Sequence, residues 1–462
     1  MARDTSDTTP VTSVADLAER IAGGCKPKAR WRIGTEHEKV GFRKFSHAPV
    51  PYAGAGGIRQ LLEGMEGLLG WQPIVDQDRP IGLVDPTHGG AISLEPGGQF
   101  ELSGAPLDNL HQTATELQAH MMQVLEIATP LRIGFLALGA SPVWPLKDTP
   151  VMPKSRYAIM ADYMPTVGTR GLDMMFRTAT VQVNLDFASE ADMRRKMRVS
   201  IALQPIATAL FANSPYLDGK ATGRLSERSE IWRDTDNARA GMIPFVFDEG
   251  FGFERYVEWA LDVPMYFVKR GDTYHRATDV TFRQFMAGAL RDRLPGVEPT
   301  VGDWDNHLGT LFPEVRLKSY LEMRGADSGS TAHILALPAF WVGLLYDEAA
   351  LDAAWDLVKD WTAEERQRLR DDVPTLALKA EIGGRTVRDI GREVVALSRA
   401  GLARRARLNR CGQDETGYLK PLDIILERGK TEAEVLLEKF GDNLDGIFCA
   451  LDMQPTDDLG CL

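Results

Sequence analysis

Four stretches of this chain alternate apolar and polar residues with a period of two, the pattern that places successive side chains on opposite faces of a β-strand. In RWRIGTEHEKVGF, Trp31, Ile33, Thr35 and His37 share one face, and Arg32, Gly34, Glu36 and Glu38 share the other. In AISLEPGGQFELSG, the triplet Pro96, Gly97 and Gly98 predicts a hairpin turn. Pairing across that turn sets Glu95 opposite Gln99 and Ser93 opposite Glu101 on one face, with Ile92, Leu94, Phe100 and Leu102 on the apolar face. In EVRLKSYLEMR, Val315, Leu317, Leu321 and Met323 oppose Arg316, Lys318, Tyr320, Glu322 and Arg324. The segment MMFRTATVQVNLDF is expected to alternate throughout, with Val181, Val183, Leu185 and Phe187 against Thr178, Thr180, Gln182 and Asn184. Arg177 falls on its apolar side, which predicts a buried, ion-paired guanidinium.

Helical signals lie between and after these strands. Ser189 with Asp192 three residues on resembles a capping box, and the apolar series Met193, Met197, Ile201, Leu210 and Phe211 follows, with a kink expected at Pro205. From Asp347 to about Arg410 the pattern is mostly helical and charged. The prediction is a loose polar tail over residues 1–12, then a single α+β body over 13–462 with a helical C-terminal portion.

Composition narrows the function classes. Of 462 residues, 44% are hydrophobic and 26% charged, which excludes disordered, collagenous and coiled-coil chains. Lys+Arg total 53 against 65 Asp+Glu, a formal charge of -12, so no nucleic-acid partner is expected. Anionic substrates must then be met by placed arginines or bound metal. The four cysteines, Cys25, Cys411, Cys449 and Cys461, form no C-x-x-C and read as reduced thiols of a cytosolic protein. The N-terminus lacks an apolar signal region. The longest apolar run, Ile334 to Tyr346, contains Pro338 and falls short of the roughly 18 residues that a membrane span needs. A cytoplasmic protein without a membrane partner is expected.

Taken singly, each polar face is what any solvated strand shows. The combination says more, because Glu36, Glu38, Glu95, Glu101 and Glu322 lie on strands that can share one sheet. Gathered carboxylates repel, and a divalent cation relieves the repulsion. Oxygen ligands without Cys or His favour Mg2+ or Mn2+ over zinc, and five glutamates suggest several ions around a nucleotide. Arg156, Arg228 and Arg324 are candidates to grip carboxylate or phosphate, and Trp232 and Tyr266 are candidate pocket walls. No G-x-x-x-x-G-K-[ST], no G-x-G-x-x-G between strand and helix and no G-x-S-x-G occurs, and GAGG at 54–57 reads as a plain turn. The eight histidines are scattered, and His37, His88 and His111 are expected to be structural.

At these strands the chain resembles a known family. RIGTEHEKVGF, SLEPGGQFELSGAPL, PKSRYAIMADYMPTVG, MMFRTATVQVNLDF, LQPIATALFANSP, IPFVFDEGFGFERYVEWALDVPMYF, FPEVRLKSYLEMRGAD and ALPAFWVGLLYDE are similar, in order and spacing from roughly residue 30 to 440, to glutamate–cysteine ligase of the plant and proteobacterial type. The resemblance implies a glutamine-synthetase-like α+β fold, in which an antiparallel sheet presents a concave face to ATP, Mg2+ and glutamate. It implies ATP-dependent ligation of L-glutamate, through its γ-carboxylate, to L-cysteine via a γ-glutamyl phosphate, the first step of glutathione biosynthesis. By motif it implies Glu36, Glu38, Glu95, Glu101 and Glu322 as metal ligands and Arg324 at the phosphoryl group. It implies Arg156 and Arg228 on substrate carboxylates, Thr178 and Gln182 on the floor, and Tyr266 toward cysteine. Ala114, Ala277 and Leu335 stand where the plant motifs carry cysteine, so the plant thiol switch is not expected. A ligase of the same fold with another amine acceptor, and a non-catalytic nucleotide or metal binder, are the alternative readings.

Overall fold

A strand whose alternate residues are apolar is stable only when something covers that face. The computed structural model describes residues 4–454. In it, nine strands join in one sheet: β1 (Ile33–Arg43), β2 (Gln72–Asp76), β3 (Arg79–Val84), β4 (Ala91–Leu94), β5 (Phe100–Ser103), β6 (Ile133–Leu136), β7 (Thr180–Leu185), β8 (Val315–Leu317) and β9 (Leu321–Asp327). The order is β8-β9-β7-β1-β5-β4-β3-β2, and β6 pairs with the distal half of β1. Every neighbouring pair is antiparallel. The α+β, antiparallel architecture expected from the sequence is the one observed.

Most apolar side chains of these strands are buried in one core together with those of the helices Glu190–Leu210, Thr331–Leu345 and Val387–Arg405, while Val40, Phe42 and Leu136 pack in a second, smaller cluster. Val181, Val183, Leu185, Val315, Leu317 and Leu321 are all fully buried there. The apolar run near residue 340 is thus a core helix, and no single helix among the described residues is long and apolar enough to cross a membrane. The helical character expected after Asp347 is present in Glu348–Val358, Ala363–Leu376 and Val387–Arg405.

Several expectations change. The fourteen-residue alternation over MMFRTATVQVNLDF is a strand only in its second half, because Gly171–Arg177 is helical. Arg177 closes that helix, buried as expected and paired with Asp173, four residues earlier, and with Asp218. Ser189 does cap its helix, accepting from the Asp192 amide at 3.2 Å. The Asp192 carboxylate, however, takes the Ala188 amide rather than that of Ser189, and the helix runs through Pro205 as one element. Residues 4–12 do not form a loose tail: Val11 is buried, and its amide donates to Pro299 O at 3.0 Å. Nor are all the cysteines reduced. Cys25 and Cys449 are free thiols, but Cys411 is disulfide-bonded.

Two helices behind the sheet touch backbone to backbone. A Cβ on Gly401 would lie 1.9 Å from Gly343 O, and a Cβ on Gly343 would lie 2.2 Å from Ser398 O. Neither helix can yield without moving the other off the core. Gly401→Ala is expected to destabilise the protein by about 1–3 kcal/mol, read as a lower urea midpoint at unchanged slope. An unaltered midpoint would show that the contact is looser than described.

Candidate active site

The polar faces of β1, β5, β7, β8 and β9 line one cavity. Antiparallel register sets the order of its floor. Glu38 pairs with Glu101, which pairs with Ser93, while Glu36 lies between Ser103 and Gln182. The predicted hairpin holds: the Glu95 amide donates to Gln99 O at 3.0 Å, and the turn delivers Glu95 to the same cavity. A Cβ on Gly97 would lie 2.1 Å from Phe176 O, so only glycine lets this turn seat against the Gly171–Arg177 helix. The facing wall carries Arg156 on the helix Ser155–Tyr163, Arg228 on Glu227–Ile231, Trp232 just beyond it, and Thr178 at the end of Gly171–Arg177.

Ten of the twelve residues singled out from the sequence line this one cavity: Glu36, Glu38, Glu95, Glu101, Arg156, Thr178, Gln182, Arg228, Trp232 and Arg324. Glu322 and Tyr266 do not. Glu322 is completely buried beneath the wall and held by three cations. Arg316 bridges both its oxygens at 2.6 and 2.8 Å, Lys318 Nζ lies at 3.0 Å, and Arg324 donates to it as well. Burial pushes this carboxyl up, but Arg316, Lys318 and Arg324 outweigh it and hold Glu322 well below the usual glutamate range. Tyr266 packs behind the pocket against Tyr163, with the Arg239 guanidinium 3.9 Å from its ring centroid. Its neighbour Phe267 is the residue of that segment on the cavity wall.

The other four carboxylates are in the opposite electrostatic state. Among the described residues, none of Glu36, Glu38, Glu95 and Glu101 forms an ion pair. Their polar contacts are neutral. Glu36 accepts from Asn184 Nδ2 at 2.7 Å, and Glu38 from the Thr180 amide at 3.0 Å. Glu101 takes Ser93 Oγ and Ser103 Oγ, the latter at 3.2 Å, and Tyr157 OH reaches Glu95 at 3.4 Å. Burial, then Glu95 and Glu101, push Glu38 well above the ordinary range; burial, then Glu322 and Glu101, push Glu36 up. Carboxylates directly opposite on neighbouring strands are destabilising, and here they are also dehydrated. A hard divalent cation fits such a donor set. Among the described residues, no three His, Cys, Asp or Glu side chains are placed to hold an ion between them.

The arginines are held by backbone as well as by charge. Arg228 Nη2 donates to Arg324 O at 2.8 Å, its amide donates to Ser214 Oγ at 3.1 Å, and its guanidinium lies over the Trp232 ring. Asp327, at the end of β9, gathers Ser214 Oγ at 2.6 Å, Ser226 Oγ at 2.8 Å and the Asn213 amide at 2.8 Å. It thereby locks the turn that starts the Arg228 helix. Arg324 also donates to Gln182, tying β9 to β7 on the floor. Gln99 Nε2 donates to Thr178 O at 2.7 Å, joining hairpin to wall. Asn306, Thr310 and Phe312 complete the far wall; no local pattern marked Asn306 or Thr310, and Phe312 opens the segment FPEVRLKSYLEMRGAD without having been singled out. His37 lies on the reverse face against His120, His88 beside Asp85, and His111 on Tyr418, so these three are structural as expected.

The family model described as glutamate-cysteine ligase family 2 matches residues 32–449. The chain belongs to that family. It is 54% identical over 437 residues to a chloroplastic glutamate–cysteine ligase of Nicotiana tabacum, covering 94% of this chain and 81% of the relative. A similar ligase of Oryza sativa subsp. japonica is 54% identical over 445 residues, covering 96% and 87%, and one of Arabidopsis thaliana is 53% identical over 445 residues, covering 96% and 83%. Among solved structures, a glutamate–cysteine ligase of Francisella tularensis in complex with AMP superposes with a TM-score of 0.54 at 11% identity, covering 91% of this chain and 87% of that one. At that identity the likeness speaks for the fold. As a member of the family, the chain is a ligase. The relatives are chloroplastic proteins, which overturns the cytoplasmic placement expected from the sequence.

The raised carboxyls carry a sign that can be checked. The folded state keeps a proton on Glu38 at pH values where the unfolded chain has lost it, so stability falls as pH rises above about 4.5, the ordinary glutamate value. Without divalent ion, Glu38→Gln is therefore expected to gain stability relative to the parent as pH is raised from 5 to 8, with Mg2+ narrowing the gap. A parent-minus-variant difference that is flat with pH would contradict the burial described.

Proposed function

We propose that this cavity carries out the reaction of its family: ATP-dependent joining of the L-glutamate γ-carboxylate to L-cysteine, giving γ-glutamylcysteine, ADP and phosphate in glutathione synthesis. The observation that supports it best is charge separation across one pocket. The buried Glu36, Glu38 and Glu101 and the half-buried Glu95, none of them in an ion pair among the described residues, line the floor, and guanidinium groups stand on the walls beside them.

Glu38, Glu95 and Glu101, with Glu36 next to them, are the residues that would hold divalent metal, Mg2+ or Mn2+. When bound, the metal supplies charge neutralisation for the nucleotide phosphates. Arg324 sits at the junction of β7 and β9 with its guanidinium fixed by Gln182 and Glu322, a preorganised donor for the transferring phosphoryl group. Glu322 serves this site by orienting Arg324 and Arg316, since its own oxygens are already taken. Arg156 and Arg228 offer planar forks for the carboxylates of the amino-acid substrates, with Thr178 and Gln182 between them and Trp232 as an apolar wall.

Chemistry then follows from placement. A γ-carboxylate oxygen of glutamate attacks the γ-phosphorus of ATP in line and ADP departs. The cysteine amine attacks the acyl carbon, and phosphate leaves. The walls hold reactants in register and exclude water, which matters because an acyl phosphate in open solvent hydrolyses.

With purified protein, ADP release is expected to require glutamate, cysteine and Mg2+ together. Arg324→Gln is expected to lower kcat by about 10²–10³-fold, the usual cost of losing one preorganised charge stabiliser. Equal ADP release with unrelated amines in place of cysteine would remove cysteine as the acceptor, and a near-normal kcat in Arg324→Gln would remove Arg324 from the phosphoryl site.

A further inference from the structure

The segment read as a loose tail is tied to the cavity. The Val301 amide donates to Thr9 O at 2.8 Å and the Gly302 amide to Asp7 O at 2.9 Å. Thr5 exchanges two hydrogen bonds with the Asn306 side chain, at 2.9 and 3.1 Å, and Asn306 itself lines the catalytic cavity. The backbone is thus led along the start of the helix Val301–Gly309 to Asp4. There the Asp4 carboxylate meets Arg156 Nη1 at 2.6 Å, receives Tyr274 OH and lies 3.4 Å from Lys269 Nζ. Its side chain is only 5% exposed.

This is the same interaction that an amino-acid substrate would make. Arg156 lines the cavity and offers a guanidinium to a carboxylate, and the carboxylate now on it belongs to the chain itself. Resting on the reading of Arg156 as a carboxylate clamp, we propose that residues 4–12 are an intrasteric strap. In it, Asp4 occupies the Arg156 guanidinium in place of a substrate carboxylate, and substrate must displace it. Tethering gives Asp4 a high effective concentration at Arg156. Apparent substrate affinity is reduced by the fraction of molecules in which the strap is engaged. Burial pushes the Asp4 carboxyl up, but Arg156, Tyr274 and Lys269 outweigh it and hold it down to about 2, so at neutral pH the strap always presents an anion.

The test compares Arg156→Gln with Asp4→Asn and Asp4→Ala in the full chain, measuring KM for glutamate, cysteine and ATP separately. Arg156→Gln identifies the clamped substrate as the one whose KM rises. Both Asp4 variants are expected to lower that same KM by about three- to tenfold with kcat unchanged. In the parent, saturating glutamate, cysteine and a non-hydrolysable ATP analogue are expected to speed hydrogen exchange at the Val301 and Gly302 amides. If Arg156→Gln raises neither amino acid's KM, the clamp reading falls and the strap with it. If it raises one but neither Asp4 variant lowers that KM, or if exchange at Val301 and Gly302 is unmoved by substrates, the strap alone is overturned.

Discussion

The constraint on which this structure turns is register. Once β1 pairs with β5 on one side and β7 on the other, Glu38 must stand opposite Glu101, and Glu36 beside it on the same face. A slip of β1 by one residue would send both Glu36 and Glu38 into the apolar core. The sheet therefore cannot form without concentrating negative charge on its polar face, and burial removes the water that would screen it. Folding alone leaves that repulsion in place. The charges of Lys318 on Glu36 and of Arg228 on Glu38 offset only part of it, and both carboxyls stay above the ordinary glutamate range.

The neighbouring Glu322 shows that the chain can neutralise a buried carboxylate when its role calls for it. Arg316, Lys318 and Arg324 converge on that one group. The contrast over one face separates two duties. Glu322, paired to arginines, fixes their positions, while Glu36, Glu38, Glu95 and Glu101 take only hydroxyl and amide donors among the described residues, the donor set for which we propose divalent metal. Asp327 extends the first duty outward, since it fastens the loops from which the Arg228 helix begins.

Much of this was legible because β-structure writes itself in a period of two. The hairpin through Pro96–Gly98, the floor of β1 and β7, and the face shared by Glu36, Glu38, Glu95 and Glu101 all follow from alternation. Alternation misled at Met174–Arg177, where four residues of helix happen to alternate; the four-residue spacing of Asp173 and Arg177 was the trace of a helical turn. Tyr266, singled out as an aromatic and by resemblance, packs behind the pocket, and its neighbour Phe267 is the one on the wall. What could not be read was tertiary. Asn306 and Thr310 reach the cavity from the helix Val301–Gly309 and its C-cap, which carry no site motif, and Asp4 finds Arg156 across 152 positions of sequence. Cys411 was misjudged for a similar reason, because sequence spacing does not reveal a disulfide, whereas Cys25 and Cys449 are free as expected.

The central claim is that the unpaired carboxylates of the floor exist to receive divalent metal at the nucleotide. A crystal structure with Mn2+, glutamate and a non-hydrolysable ATP analogue tests it most directly, because manganese can be located by its anomalous scattering. The account predicts manganese between the triphosphate and the oxygens of Glu38, Glu95 and Glu101, with Glu322 still paired to Arg316. Manganese bound elsewhere, or a triphosphate seated with those three glutamates turned away from any ion, would contradict it.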